Sequence, residues 1–227
     1  MSRMTSIIRK TNVQCEGHAH ISRSISCSHP PALDPIRALV AVTASSSVFT
    51  ITDKTPESTP CSEASSHDVQ YEFVTESNCA FKNKTTVTTT HCLCAIVRAV
   101  ATTNPELCLY TMRSSTIERW VDDMLTAGLV DAAYATTDGT GKEKEQKEAV
   151  EQFASNVEEQ LDKSKYLVGR TVTAADVVVS VVLAEAARRT GVVLGERTTA
   201  LVDFILNNPT VRGALLDGAS ALDPIGE

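Results

Sequence analysis

The run "YLVGRTVTAADVVVSVVLAEAARR", Tyr166 to Arg189, decides how the rest of the chain is read. Its middle, VVVSVVL, is a strand by propensity alone. The residues ahead of it predict a helix instead. Thr173 stands three positions before Asp176, the spacing of a capping box. In that motif the threonine oxygen accepts from the N3 backbone N–H, and the N3 carboxylate accepts from the N–H of the cap. Asp176 also suits the positive end of the helix dipole. Val172 before the cap and Val177 at the fourth helical position fit a hydrophobic staple. Box and staple contribute about 1–2 kcal/mol. They offset the propensity deficit of five valines, each up to ~0.6 kcal/mol less favourable than alanine. Val177, Val178, Val179, Val181, Val182 and Leu183 lie almost all round the helix, the pattern of a core helix.

Around this centre the second half of the chain is helical throughout. Ser115 and Glu118 have capping-box spacing, and Ile117, Val121, Met124, Leu125 and Leu129 form one stripe with Trp120 at its edge. A charged linker, 138–148, leads into a helix that turns Val150, Phe153, Val157 and Leu161 one way, with Lys and Glu four apart on its solvated start. Further helices cover 196–206 and 207–216, with Pro209 suited to a first turn. Trp120, Met124 and Phe153 are the expected core or interface residues.

The first half reads differently. Residues 36–45 alternate and predict a first strand. Residues 69–76 alternate cleanly, with Val69, Tyr71 and Phe73 on one face, and 79–90 read as a hairpin. Leu93, Ile96, Val97 and Val100 then mark a helix that stops before Asn104-Pro105. Strands followed by helices imply an α/β unit and an all-α unit. The expected boundaries are an extension over 1–35, an α/β domain over 36–104, a helical domain over 105–218 and a tail over 219–227.

Composition limits the function classes. The 227 residues are enough for a real core, and 42% apolar with 22% charged residues is ordinary for a globular protein. The whole net charge of −7 sits in residues 113–227, which disfavours nucleic-acid binding. No apolar run is long enough for a membrane span. The seven cysteines all lie in the first half and predict reduced thiols in a cytoplasmic protein. Residues 1–33 carry four basic residues and one acidic one, which leaves a mitochondrial leader as the alternative. Cys15-x-x-His18-x-His20 and Cys27-x-His29 offer metal-type ligands, but the spacing is no standard zinc pattern and no metal site is expected. His91-Cys92-x-Cys94 places thiols at a helix start, where small buried residues are the blander reading.

The segment "YLVGRTVTAADV" resembles "YLxGxxxTxADI", which opens the central helix of the glutathione-transferase C-terminal domain. "STIERWVDDML" and "LVDFILNNPTVRGAL" resemble its first and late helices, in the right order. The resemblance implies a degenerate thioredoxin-like N-terminal domain followed by a glutathione-transferase-type helical bundle. It also implies where a glutathione site would be. The family's cis-proline ahead of the third strand has no counterpart, because no proline occurs between Cys61 and Asn104. The family's "ESxAI" is replaced by "CLCAI", Cys92 to Ile96. Ser45, Ser46 and Ser47 follow the expected first strand, where the family holds its catalytic hydroxyl.

With two devices missing, the resemblance points to the non-catalytic members that assemble translation machinery. The expectation is a scaffold without cofactor, metal or catalytic residue. Its partners would be aminoacyl-tRNA synthetases, elongation factor 1 subunits or a second copy of the chain, and not nucleic acid or membrane. The alternative is a divergent glutathione transferase that binds glutathione and uses Ser45 or Ser46.

Overall fold

The computed structural model describes residues 17–25, 34–43, 49–54, 69–79, 84–90, 93–111, 113–134 and 142–220, with the strands and residues 216–220 described through their backbone. Four strands, β1 (Gly17–Ile25), β2 (Phe49–Lys54), β3 (Val69–Cys79) and β4 (Lys84–Thr90), form one sheet in the order β2-β1-β3-β4. β1 runs parallel to β2 and antiparallel to β3, which is antiparallel to β4. Register sorts the strands into two faces. One carries Ala19, Ile21, Ile25, Phe49, Ile51, Val69, Tyr71 and Phe73, with Arg23 opposite Asp53 and with Thr75 and Ser77 towards one end; the other carries mostly polar residues.

The helices are α1 (Pro35–Thr43), α2 (Leu93–Ala101), α3 (Ser114–Thr126), α4 (Leu129–Tyr134), α5 (Glu143–Lys163), α6 (Ala174–Thr190), α7 (Glu196–Leu206) and α8 (Pro209–Ser220). Helix α6 is the hub and packs against α1, α3, α4, α5 and α7. All its residues from Ala174 to Leu183 are buried. Each buried valine there contributes about 1.5–3 kcal/mol of apolar burial, several times its propensity deficit. The VVVSVVL run is thus helical because tertiary burial outweighs local preference.

Several expectations need correction. Residues 36–43 are helix α1, not a first strand. The signal lies just upstream: the Asp34 carboxylate accepts from the N–H groups of Ile36 (2.8 Å) and Arg37 (3.1 Å), and Pro35 occupies the first helical position. Ile36, Leu39, Val40 and Thr43 are buried at helical spacing, which the apparent alternation concealed. The first strand is therefore β1, inside the stretch read as an extension. A leader removed near residue 30 would take with it a strand that pairs with two others.

The stripe from Ile117 to Leu129 is not one helix either. Gly128 has φ +72°, a left-handed conformation that glycine adopts without strain, and it separates α3 from α4. Nor do Ser115 and Glu118 form a capping box: α3 starts at Ser114, so Ser115 lies inside the helix, the N-cap position is Arg113, and no side chain caps it. The charged stretch 143–148 belongs to α5, where Lys144 pairs with Glu148 at 3.6 Å and Lys147 with Glu151 at 4.0 Å.

Candidate functional site

The start of α6 is organised by one buried carboxylate. Asp176 accepts from the N–H of Thr173 (2.8 Å), the hydroxyl of Thr173 (2.7 Å) and the N–H of Leu167 (2.8 Å). The Thr173 side chain in turn faces the N3 backbone N–H, which completes a capping box. Val172 is half-buried against the core that contains Val177. Burial pushes the Asp176 carboxyl above the usual aspartate range and outweighs its hydrogen-bond donors. The group is structural, since its donors are the chain's own.

A second carboxylate does similar work from a distance. Glu158, on α5, accepts from the N–H groups of Arg197 (3.1 Å) and Thr198 (2.8 Å) and from the Thr198 hydroxyl (2.5 Å), so it caps α7. Burial pushes its carboxyl up, but the Thr198 and Arg197 hydrogen bonds and the Arg197 charge hold it below the usual glutamate range. No sequence signal of a local kind marks this residue.

Between α2 and α3 lies a polar seam. The buried Cys94 thiol donates to the Asp122 carboxylate at 2.7 Å. One turn on, Arg98 and the Tyr110 hydroxyl both donate to Glu118. The hydrogen bonds from Tyr110 and then Arg98 hold Glu118 below the usual range. Tyr110 is pushed up by its burial and by Glu118. The seam explains why Glu118 does not cap α3.

A cleft of about 820 Å³ runs between α3 and α5. Trp120 and Phe153 line it, with ring centroids 6.0 Å apart and planes at 89°. Met124 is fully buried on α3. On the cleft rim Arg119 pairs with Asp123 (3.4 Å) and Lys163 with Glu159 (2.7 Å), each along its own helix, and Arg113 adds a further cation. An aromatic wall with a polar rim accommodates a flat apolar group, and no nucleophile–base pair lines the cleft among the described residues.

Ser45 and Ser46 lie outside the described residues, and in sequence they follow helix α1 rather than a strand. The serines that follow the first strand are Ser26 and Ser28, also outside the described residues. At the start of α2 the first residue is the buried Leu93, where the resembling family has a serine. Among the described residues there is no cis peptide bond and no helix long and apolar enough to cross a membrane, and among those whose side chains are described there is no group of three His, Cys, Asp or Glu suited to a metal.

This arrangement, a mixed four-stranded sheet joined to a bundle around a capped core helix, is the glutathione-transferase type of fold, with its helical C-terminal domain. Residues 123–212 match the family described as glutathione S-transferase, C-terminal domain. The chain is similar to a glutathione S-transferase from Xylella fastidiosa at 15% identity and a TM-score of 0.61, covering 89% of this chain and 99% of that one. It is similar to the theta class enzyme from Xanthomonas axonopodis pv. citri with glutathione bound, at 14% identity and a TM-score of 0.55, over 87% and 96% of the two chains. A glutathione transferase family member from Pseudomonas fluorescens with two glutathione bound is similar at 12% identity and a TM-score of 0.57, over 90% and 95%. No curated protein matches the chain in sequence.

These likenesses correct the functional expectation. The similar solved structures are glutathione transferases, which overturns the reading as a non-catalytic translation scaffold without enzyme activity. The weight moves to the alternative.

Proposed function

We propose that the chain is a divergent glutathione transferase. The observation that carries this reading is the match of 87–90% of the chain to glutathione transferases, two of them holding glutathione. The sheet order β2-β1-β3-β4, with α1 following β1 and α2 following β4, is read as a thioredoxin-like half. Glutathione would then sit at the ends of these elements, and its thiolate would attack an electrophilic substrate. A hydroxyl after the first strand would donate a hydrogen bond to the thiolate and lower the pKa of the thiol. With β1 as the first strand, Ser26 and Ser28 take the role first sought at Ser45 and Ser46. Leu93 cannot supply the family's hydroxyl to the γ-glutamyl carboxylate, so that contact falls to backbone N–H groups at the start of α2.

The test is calorimetric titration of the reduced chain with glutathione, paired with conjugation of glutathione to a chlorodinitrobenzene. Saturable binding and turnover are expected. One of Ser26→Ala and Ser28→Ala should lower the turnover by about 10²-fold. Absence of glutathione binding by a folded chain rejects the reading.

A further inference from the structure

The strand register brings together residues that sequence spacing left apart. His18 on β1 is directly opposite Glu76 on β3, and His20 is two positions along the same face of β1. Two of the chain's five histidines thus occupy alternate positions on one strand beside a glutamate. Directly opposed positions have Cβ atoms about 5 Å apart, and alternate positions on a strand are about 7 Å apart. We propose that this juxtaposition of His18, His20 and Glu76 on one sheet face is a site for a borderline divalent cation, with Zn²⁺ as its representative.

Imidazole and carboxylate are the donor types such ions take, and three protein donors is the number that open zinc sites use. The neighbouring strand positions on this face are Thr50, Val74 and Val87, none of them cationic. Among the strand positions of this face the only cationic residue is Lys54, opposite Ser24 at the far end. An ordinary cross-strand histidine–glutamate pair accounts for His18 and Glu76 and leaves His20 without a role. The cysteines at 15 and 27 take no part in the proposal, which separates it from the chelating pattern that sequence spacing first raised. The site is independent of glutathione chemistry.

The experiment is titration of the reduced, chelator-treated full chain with Co²⁺ followed by absorbance, and with Zn²⁺ by competition against a chromophoric chelator. One equivalent should bind, without a thiolate-to-metal charge-transfer band. His18→Ala, His20→Ala and Glu76→Gln should each weaken binding at least tenfold. Cys15→Ser should leave it unchanged. Glu72→Gln removes the same charge on the same face, opposite Ser22, and should also bind as the parent does. Far-UV circular dichroism and melting of the metal-free variants separate ligand loss from damage to the sheet. Substoichiometric binding, a thiolate band, or equal weakening by Glu72→Gln and Glu76→Gln would overturn the site.

Discussion

Two helices of the bundle are started by carboxylates of opposite character. At α6 the group is Asp176, three residues from the cap it serves, and fully buried. At α7 it is Glu158, carried on another helix and 40 residues away from Thr198 in sequence. Burial dominates the first and raises its pKa; hydrogen bonds and a cation dominate the second and lower it. The same job of satisfying orphan helix N–H groups is done once by local chain geometry and once by tertiary packing. Only the local solution leaves a trace in the spacing of residues.

The sharpest way to break this comparison is Asp176→Ala. It strips buried donors at Leu167 and Thr173 of their acceptor, so a loss of about 3 kcal/mol is expected from urea denaturation. A loss below about 1 kcal/mol would mean that the box is dispensable.

Glu158→Ala removes a partly exposed cap and should lose about 1 kcal/mol. Gly195 sharpens the point, because a Cβ there would lie 2.4 Å from the Glu158 carboxyl. Gly195→Ala should therefore destabilise, yet add little once Glu158 is alanine. A double-mutant cycle reads that coupling, and additivity would detach Glu158 from the α7 cap.

Ser180 offers a gain rather than a loss. Its buried hydroxyl has no partner among the described residues. Ser180→Ala should raise stability by about 0.5–1 kcal/mol, and a fall in the melting temperature would show that the hydroxyl is satisfied.

The smallest effect is the most diagnostic, because the two carboxylates respond to pH with opposite sign. The raised pKa of Asp176 means that its contribution is full below the ordinary aspartate value and declines as pH rises through the raised one. The lowered pKa of Glu158 gives a contribution present above the ordinary glutamate value and lost as pH falls through the lowered one. Between acid and neutral pH, the stability of wild type relative to Asp176→Asn should fall, while that relative to Glu158→Gln should rise. Parallel slopes would erase the distinction.

The same division governs what could be read in advance. Helix α6 was legible because cap, staple and apolar run are contiguous, and the alternating run 69–76 lies within β3 for the same reason. Helix α1 was misread because Ile36 to Thr43 alternate well enough to mimic a strand, while its start signal, Asp34-Pro35, sat outside the run. β1 escaped notice because Arg23 interrupts the apolar alternation of Ala19, Ile21 and Ile25. That one exchange moved the search for a catalytic serine from 26–28 to 45–46. Glu118 was assigned to a cap it does not make because Arg98 and Tyr110 claim it across the seam. Glu158 could not have been found by spacing, since its helix partner is set by packing alone.

Helix α1 has a further consequence, for synthesis rather than stability. It is made early and packs on α2, yet its other packing partners are α6 and α8, residues 174–190 and 209–220. Contacts across so much chain are slow to form and close last. A ribosome adds about 5–20 residues per second, so the apolar face of α1 waits many seconds for helices not yet translated. Through that interval Ile36, Leu39 and Val40, which end up buried, need shelter from other apolar surfaces in the cell.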